Sequence, residues 1–214
     1  MRLLQGPWQR LLAFLSRSAR QPVRNLYWNL RAKEIDARYG QGTADYDVVR
    51  EVLREVRPRR LLDIGCGSGR LFPLYREMRI EEIVAQEVAA AAIRMCRKRY
   101  PDMPVSYTSR EILELPYPAD HFDLIISNRV LSAILPEHIA PVLERLARIG
   151  RALYINEMSE SDGPMVDSSY WFCHDYGALV SRWGFIVARS GMMGRQTWRL
   201  YRKGAEHTRI ETRA

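Results

Sequence analysis

The sequence predicts an α/β fold: a doubly wound, mostly parallel seven-stranded sheet with an antiparallel C-terminal edge hairpin, preceded by N-terminal helices. Three observations carry this. From residue 59 onward, short apolar runs of strand length alternate with helix-length amphipathic segments. The first run, Leu61-Leu62-Asp63-Ile64, enters a glycine-rich turn, Gly65-Cys66-Gly67-Ser68-Gly69. The last two runs follow each other with only a glycine-containing turn, residues 191–194, between them. The 214 residues suffice for one large α/β domain and are too few for two.

Taken in order, the strands are expected at 60–64, 82–86, 104–107, 122–127, 151–156, 184–189 and 196–202. Helices fit between them at 69–78, 88–99, 137–149 and 175–183. Ahead of the sheet, Leu4, Trp8, Leu11, Leu12 and Leu15 recur at helical spacing with arginines between them. Residues 25–55 read as further helices covering the first β–α turn. The resulting division is 1–50, basic amphipathic helices and lid; 51–203, the cofactor-binding α/β domain; and 204–214, a polar tail.

Charge is placed unevenly. Formal net charge is +8, yet the first 33 residues hold seven basic side chains and no acid. The rest is close to neutral, whereas a nucleic-acid enzyme is expected to surround its cleft with positive charge. The apolar run at residues 11–15 is far too short to span a membrane, which needs roughly 20 residues, and Pro7 and Arg10 interrupt any secretory core. Residues 1–24 therefore have three readings: a helix packed on its own domain or on a second copy in a homodimer, a helix lying on a membrane surface, or a disordered arm. Three cysteines, Cys66, Cys96 and Cys173, are far apart and lack C-x-x-C spacing, which suggests a reduced, cytoplasmic chain without disulfides or a zinc site.

The glycine turn carries the chemistry. Glycines at 65, 67 and 69 allow sharp turning and let a ligand lie against the backbone, since no Cβ intervenes. The amide groups at the start of the following segment suit an electronegative ligand. The spacing is G-x-G-x-G rather than the dinucleotide G-x-G-x-x-G, and no Lys-Ser or Lys-Thr of a phosphate loop follows. Glu87 closes the second strand, where an acid can accept hydrogen bonds from two ribose hydroxyls.

These residues resemble the class I S-adenosylmethionine (SAM) dependent methyltransferases, whose first motif is close to L-D-x-G-C-G-x-G. The likeness extends through Glu111-Ile112-Leu113-Glu114-Leu115-Pro116-Tyr117 and Phe122-Asp123-Leu124-Ile125-Ile126, and covers residues 60–130 in order. It is greatest to the broad group that includes quinone-biosynthesis methyltransferases. The resemblance implies a Rossmann-like fold, SAM as cofactor and S-adenosylhomocysteine (SAH) as product. It places Asp63, Gly65, Cys66, Gly67 and Gly69 at the cofactor turn, Glu87 and Val88 at the ribose, and Glu111 and Ile112 at the adenine. Ser127 and Asn128 fall beside the methionine moiety, with Tyr39 or Tyr46 as an aromatic closing over the cofactor. The family more often has Asp at position 87 and Ser at position 89, where this chain has Glu87 and Ala89.

The acceptor is expected at the carboxyl ends of strands four and five, around Ser127, Asn128, Arg129, Asn156 and Glu157, under the aromatic stretch Tyr170-Trp171-Phe172-Cys173-His174. Because the sulfonium methyl is already activated, positioning and exclusion of water dominate, and a base is needed only for an acceptor that must lose a proton. His174 and Glu157 are the candidates, each with an ordinary structural alternative. The proline-rich motif that base-methylating DNA enzymes place after strand four is absent, and no clustered carboxylates suggest a metal. A small-molecule or lipid-like acceptor follows. Two rivals stay open: an RNA or protein methyltransferase recruited through the basic arm, and a non-catalytic partner subunit that keeps the SAM fold.

Overall fold

The computed structural model describes residues 17–40, 42–158, 172–194 and 196–204. The amphipathic stretch Leu4 to Leu15, the aromatics Tyr170 and Trp171, and the tail from residue 205 lie outside the described residues. Two helices, α1 (Arg17–Tyr39) and α2 (Tyr46–Val56), precede the sheet. The elements β1 (Arg60–Ile64), α3 (Phe72–Glu77), β2 (Glu82–Gln86), α4 (Ala90–Arg99), β3 (Val105–Thr108) and β4 (Leu124–Asn128) follow. Then come α5 (Pro136–Ile149), β5 (Ala152–Met158), α6 (Tyr176–Ser181), β6 (Phe185–Met193) and β7 (Gln196–Lys203).

The seven strands lie in the order β3-β2-β1-β4-β5-β7-β6. β1 pairs in parallel with both β2 and β4, so the strand order reverses at β1/β4 and leaves a crevice at their carboxyl ends. β7 runs antiparallel between β5 and β6, as the hairpin signal predicts. The mixed sheet with its antiparallel C-terminal strands is the arrangement expected from the sequence.

Alternation within each strand explains why both faces are covered. Leu61, Leu124 and Ile126 point into a core with Val49, Val52 and Leu53 of α2 and Phe72, Leu74 and Tyr75 of α3. Leu62, Ile64 and Ile125 point to the opposite core, filled by Leu143 and Leu146 of α5 and Val180 of α6. Helix α2, which runs across residue 50, supplies Val49, Val52 and Leu53 to the first core. No helix among the described residues is long and apolar enough to cross a membrane.

Candidate functional site

β1 delivers the glycine turn to the crevice. Gly65, Gly67 and Gly69 all take positive φ, at 59°, 56° and 82°, which side chains with a Cβ adopt only at a cost. The three glycines differ in what surrounds them. A Cβ on Gly65 would stand 2.5 Å from Val130 Cγ2, and one on Gly69 would meet Phe72, Tyr100 and Cys96. A Cβ on Gly67 would meet nothing within 4 Å. Packing thus requires two of the glycines, while the third faces open space.

The turn is held from β2. Gln86 Oε1 accepts from Gly65 N at 3.2 Å, and its Nε2 donates to Arg110 O at 2.9 Å. Glu87 Oε2 accepts from Gly67 N at 3.0 Å, and Oε1 from Ala89 N at 2.8 Å. Burial pushes the Glu87 carboxyl above its usual range against these backbone donors, among them the amide of half-buried Val88. Asp63 lies beneath the turn, where its Oδ2 accepts from the Tyr75 hydroxyl at 3.0 Å. Burial pushes the Asp63 carboxyl up to about 7. The Cys66 thiol is raised by its contact with Cys96 and by burial, the opposite of what a nucleophile needs.

Helix α1 lies across this face, and its polar residues make the contacts. Asn25 Nδ2 donates to Glu111 Oε1, and Asn29 Oδ1 accepts from Ala91 N at 3.0 Å. Asp36 accepts from Ser68 Oγ and pairs with Arg99 at 2.8 Å. Asn25, Asn29 and Asp36 stand at i, i+4 and i+11, one helical face. That stripe was visible in the sequence but overshadowed by the arginines around it. Ile112, beside Glu111, is buried in the second core.

Between the glycine turn and the start of α2 sits an ion pair that no local motif announces. Arg70 forks onto buried Asp45, with Nη2 to Oδ2 at 2.7 Å. Burial raises the Asp45 carboxyl, but the guanidinium outweighs it and holds Asp45 below the usual carboxylate range. Asn128 Nδ2 also donates to Asp45, and Tyr46 donates its hydroxyl to Arg70 O. Tyr39, at the end of α1, is 45% exposed, with the guanidinium groups of Arg38 and Arg129 over its ring.

The acceptor side is organised by a buried acid. Glu157 Oε1 accepts from Val130 N and Leu131 N, both at 2.8 Å, and from Ser127 Oγ at 3.3 Å. Its Oε2 accepts from Ser132 N at 3.3 Å. The carboxylate therefore clamps the short 3-10 turn Leu131–Ala133 behind β4, and burial raises its pKa. His174 is likewise buried. Its Nε2 donates to Ile134 O at 3.0 Å, and burial lowers its pKa.

The crevice passes a simple test for SAM: Gly67 leaves room against the backbone, and a buried carboxylate ends the adjacent strand. The Gly67 and Ala89 amides take one oxygen of Glu87 each and the Val88 amide also lies against it, which leaves lone-pair capacity for a ribose hydroxyl, since a carboxylate offers about four. Among the described residues no three His, Cys, Asp or Glu side chains converge as a metal site.

Comparison with known proteins agrees with this geometry. Residues 62–152 match the model of a methyltransferase domain. An uncharacterised methyltransferase of Mycobacterium tuberculosis is 27% identical over 105 residues, 49% of this chain and 50% of that protein. A malonyl-[acyl-carrier protein] O-methyltransferase of Halorhodospira halophila is 34% identical over 96 residues, covering 44% of this chain and 32% of that enzyme. The chain thus spans at most half the length of either relative. Among solved structures, magnesium protoporphyrin IX methyltransferase of Synechocystis PCC 6803 with bound SAM superposes with a TM-score of 0.67 at 16% identity, over 86% of this chain and 97% of that one. The 1,6-didemethyltoxoflavin-N1-methyltransferase of Burkholderia thailandensis, with SAH bound, superposes with a TM-score of 0.71 at 16% identity, over 89% and 91%. At those identities the structural likeness shows the fold.

Proposed function

We propose that this chain, whose residues 62–152 form a methyltransferase domain on the class I SAM-dependent fold, transfers a methyl group from SAM to a small-molecule or lipid-like acceptor. The observation that carries it is the open face of Gly67 directly beside the Glu87 carboxylate. When bound, SAM supplies an activated sulfonium methyl, and SAH is left after transfer.

The chain's own residues would do the rest. The turn from Gly65 to Gly69 offers backbone against which the nucleoside can lie. Glu87 would accept from the ribose hydroxyls, with Val88 and Ile112 bordering the base and Glu111 at its edge. Ser127 and Asn128 stand at the end of β4, and the Asp45–Arg70 pair fixes the turn relative to α2. On this reading catalysis rests on orientation and exclusion of water by α1. Glu157 and His174, expected as candidate bases, are assigned structural roles instead, because the protein's own backbone occupies both.

The acceptor class draws on the compared proteins, whose names point to malonyl-carrier, porphyrin and toxoflavin-precursor substrates. Incubation with methyl-tritiated SAM and a panel of small acids, phenols, quinols and lipids tests it, with RNA and protein extracts in parallel. Label in a small or lipid fraction is the expected result. Label confined to RNA or protein would replace the acceptor class, and SAM binding without transfer to any fraction would favour a non-catalytic partner.

A further inference from the structure

Four described residues other than glycine take positive φ: Arg57, Arg79, Asp120 and Arg129. Three are ordinary. Arg57 caps α2 and Arg79 follows α3, both exposed, while Asp120 sits in a turn and pairs with Lys203. Arg129 differs, because it stands at the carboxyl end of β4 with φ 62°. Its amide donates to Asn156 O at 2.8 Å, which ties it to the end of β5. A long side chain held in the left-handed region costs about 1–2 kcal/mol, and such strain is concentrated where a side chain must be aimed.

The side chain's surroundings are equally informative. Arg129 is half-buried, with its guanidinium 5.6 Å from the centre of the Tyr39 ring, and among the described residues no carboxylate pairs with it. The two acids whose charge reaches it are already engaged, Asp45 by Arg70 and Asn128, and Glu157 by the backbone of the 3-10 turn. Burial lowers the Arg129 pKa, and the neighbouring Arg70 charge lowers it further. Among the described residues, this strained, partly desolvated fork of five donors stands beside a like charge without a carboxylate of its own.

Resting on the methyltransferase reading above, we propose that Arg129 selects the acceptor by binding an oxyanion on it, a carboxylate or phosphate. The backbone tie of Arg129 to β5, on the side of β4 away from β1, favours the acceptor over SAM's own carboxylate, and the SAH titration below separates the two. Catalytic chemistry is not required of it. Its work is to fix the acidic end of the substrate, and the face of Tyr39 would support the guanidinium plane.

The test uses the full chain saturated with SAH and calorimetric titration with matched pairs: 2-naphthoate against 2-naphthamide, decanoate against decanamide, and 2-naphthyl phosphate against 2-naphthol. The expected result is at least a tenfold preference for the anion in one or more pairs, the size of one charge-assisted hydrogen bond. Arg129→Lys should keep the preference in weakened form. Arg129→Asn, which removes the charge with a residue that tolerates the left-handed region, should abolish it and leave SAH affinity within about twofold, well under the tenfold of a lost polar contact. No preference in any pair, or a preference that survives Arg129→Asn, overturns the inference. So does a tenfold loss of SAH affinity in Arg129→Asn, which would assign Arg129 to the cofactor's carboxylate. A wild-type chain that takes up no SAH sinks the methyltransferase reading itself, a result separable from the other three.

Discussion

Glu87 and Glu157 occupy matching places, each a buried acid at or near the carboxyl end of a strand, and each is raised in pKa by burial. They differ in what lies beside them. Glu87 takes the Gly67 and Ala89 amides, one on each oxygen, with the Val88 amide also against it, and it borders the open face of Gly67. Glu157 takes three amides and a hydroxyl, and the protein surrounds it completely. An acid at the carboxyl end of a strand is therefore not by itself a catalytic group. What distinguishes the two acids is that open space remains beside Glu87, at Gly67, and none beside Glu157.

Substitution should break the comparison most visibly at Glu157. Glu157→Ala leaves the Val130, Leu131 and Ser132 amides without their acceptor, and a loss of about 3–5 kcal/mol in chemical denaturation is expected. Glu157→Gln keeps Oε1 but sets an amide group against the Ser132 N–H, so an intermediate loss of about 2 kcal/mol should follow. A Glu157→Gln chain of wild-type stability would show that the clamp contributes little.

The glycines sharpen the same contrast. Gly65→Ala combines left-handed strain with a clash on Val130, a loss of about 3 kcal/mol. Gly67→Ala meets only the strain, about 1 kcal/mol, yet it fills the space assigned to the nucleoside and should weaken SAH binding more than it weakens the fold. Equal effects of the two substitutions on stability and on binding would contradict the division between packing glycines and an open one.

Asp63 adds a pH signature. Burial pushes its carboxyl from the ordinary aspartate range up to about 7 in the folded chain, so the native state holds this proton where the unfolded chain has released it. The contribution to stability is present below about pH 4 and is lost as pH rises through about 7. Denaturation at pH 5 and pH 8 should show the wild type losing on the order of 2 kcal/mol relative to Asp63→Asn, which cannot titrate. Parallel pH profiles for the two proteins would place Asp63 in a wetter site than its burial indicates.

Much of this molecule was legible in its sequence because the deciding physics is local. Strand alternation separated the two cores, and three glycines after Asp63 predicted a turn whose positive φ values require them. The remainder depended on contacts across the chain. Asp45 and Arg70 are 25 residues apart, and Arg99 and Asp36 are 63 apart, so no local pattern joins them. Glu157 looked like a candidate base because its neighbours along β5 say nothing of the amides 25–27 residues earlier that it serves. Arg129 is placed at the acceptor end by its position after β4, but its left-handed backbone has no signature in the sequence.

The central claim is that the crevice at Gly67 and Glu87 binds SAM, and calorimetric titration with SAM, SAH and NAD tests it most directly. Micromolar binding of both adenosyl ligands, no binding of NAD, and at least a tenfold weakening in Glu87→Ala, the size of one lost polar contact, are expected. Absence of binding by SAM and SAH, or an affinity indifferent to Glu87, would contradict the account.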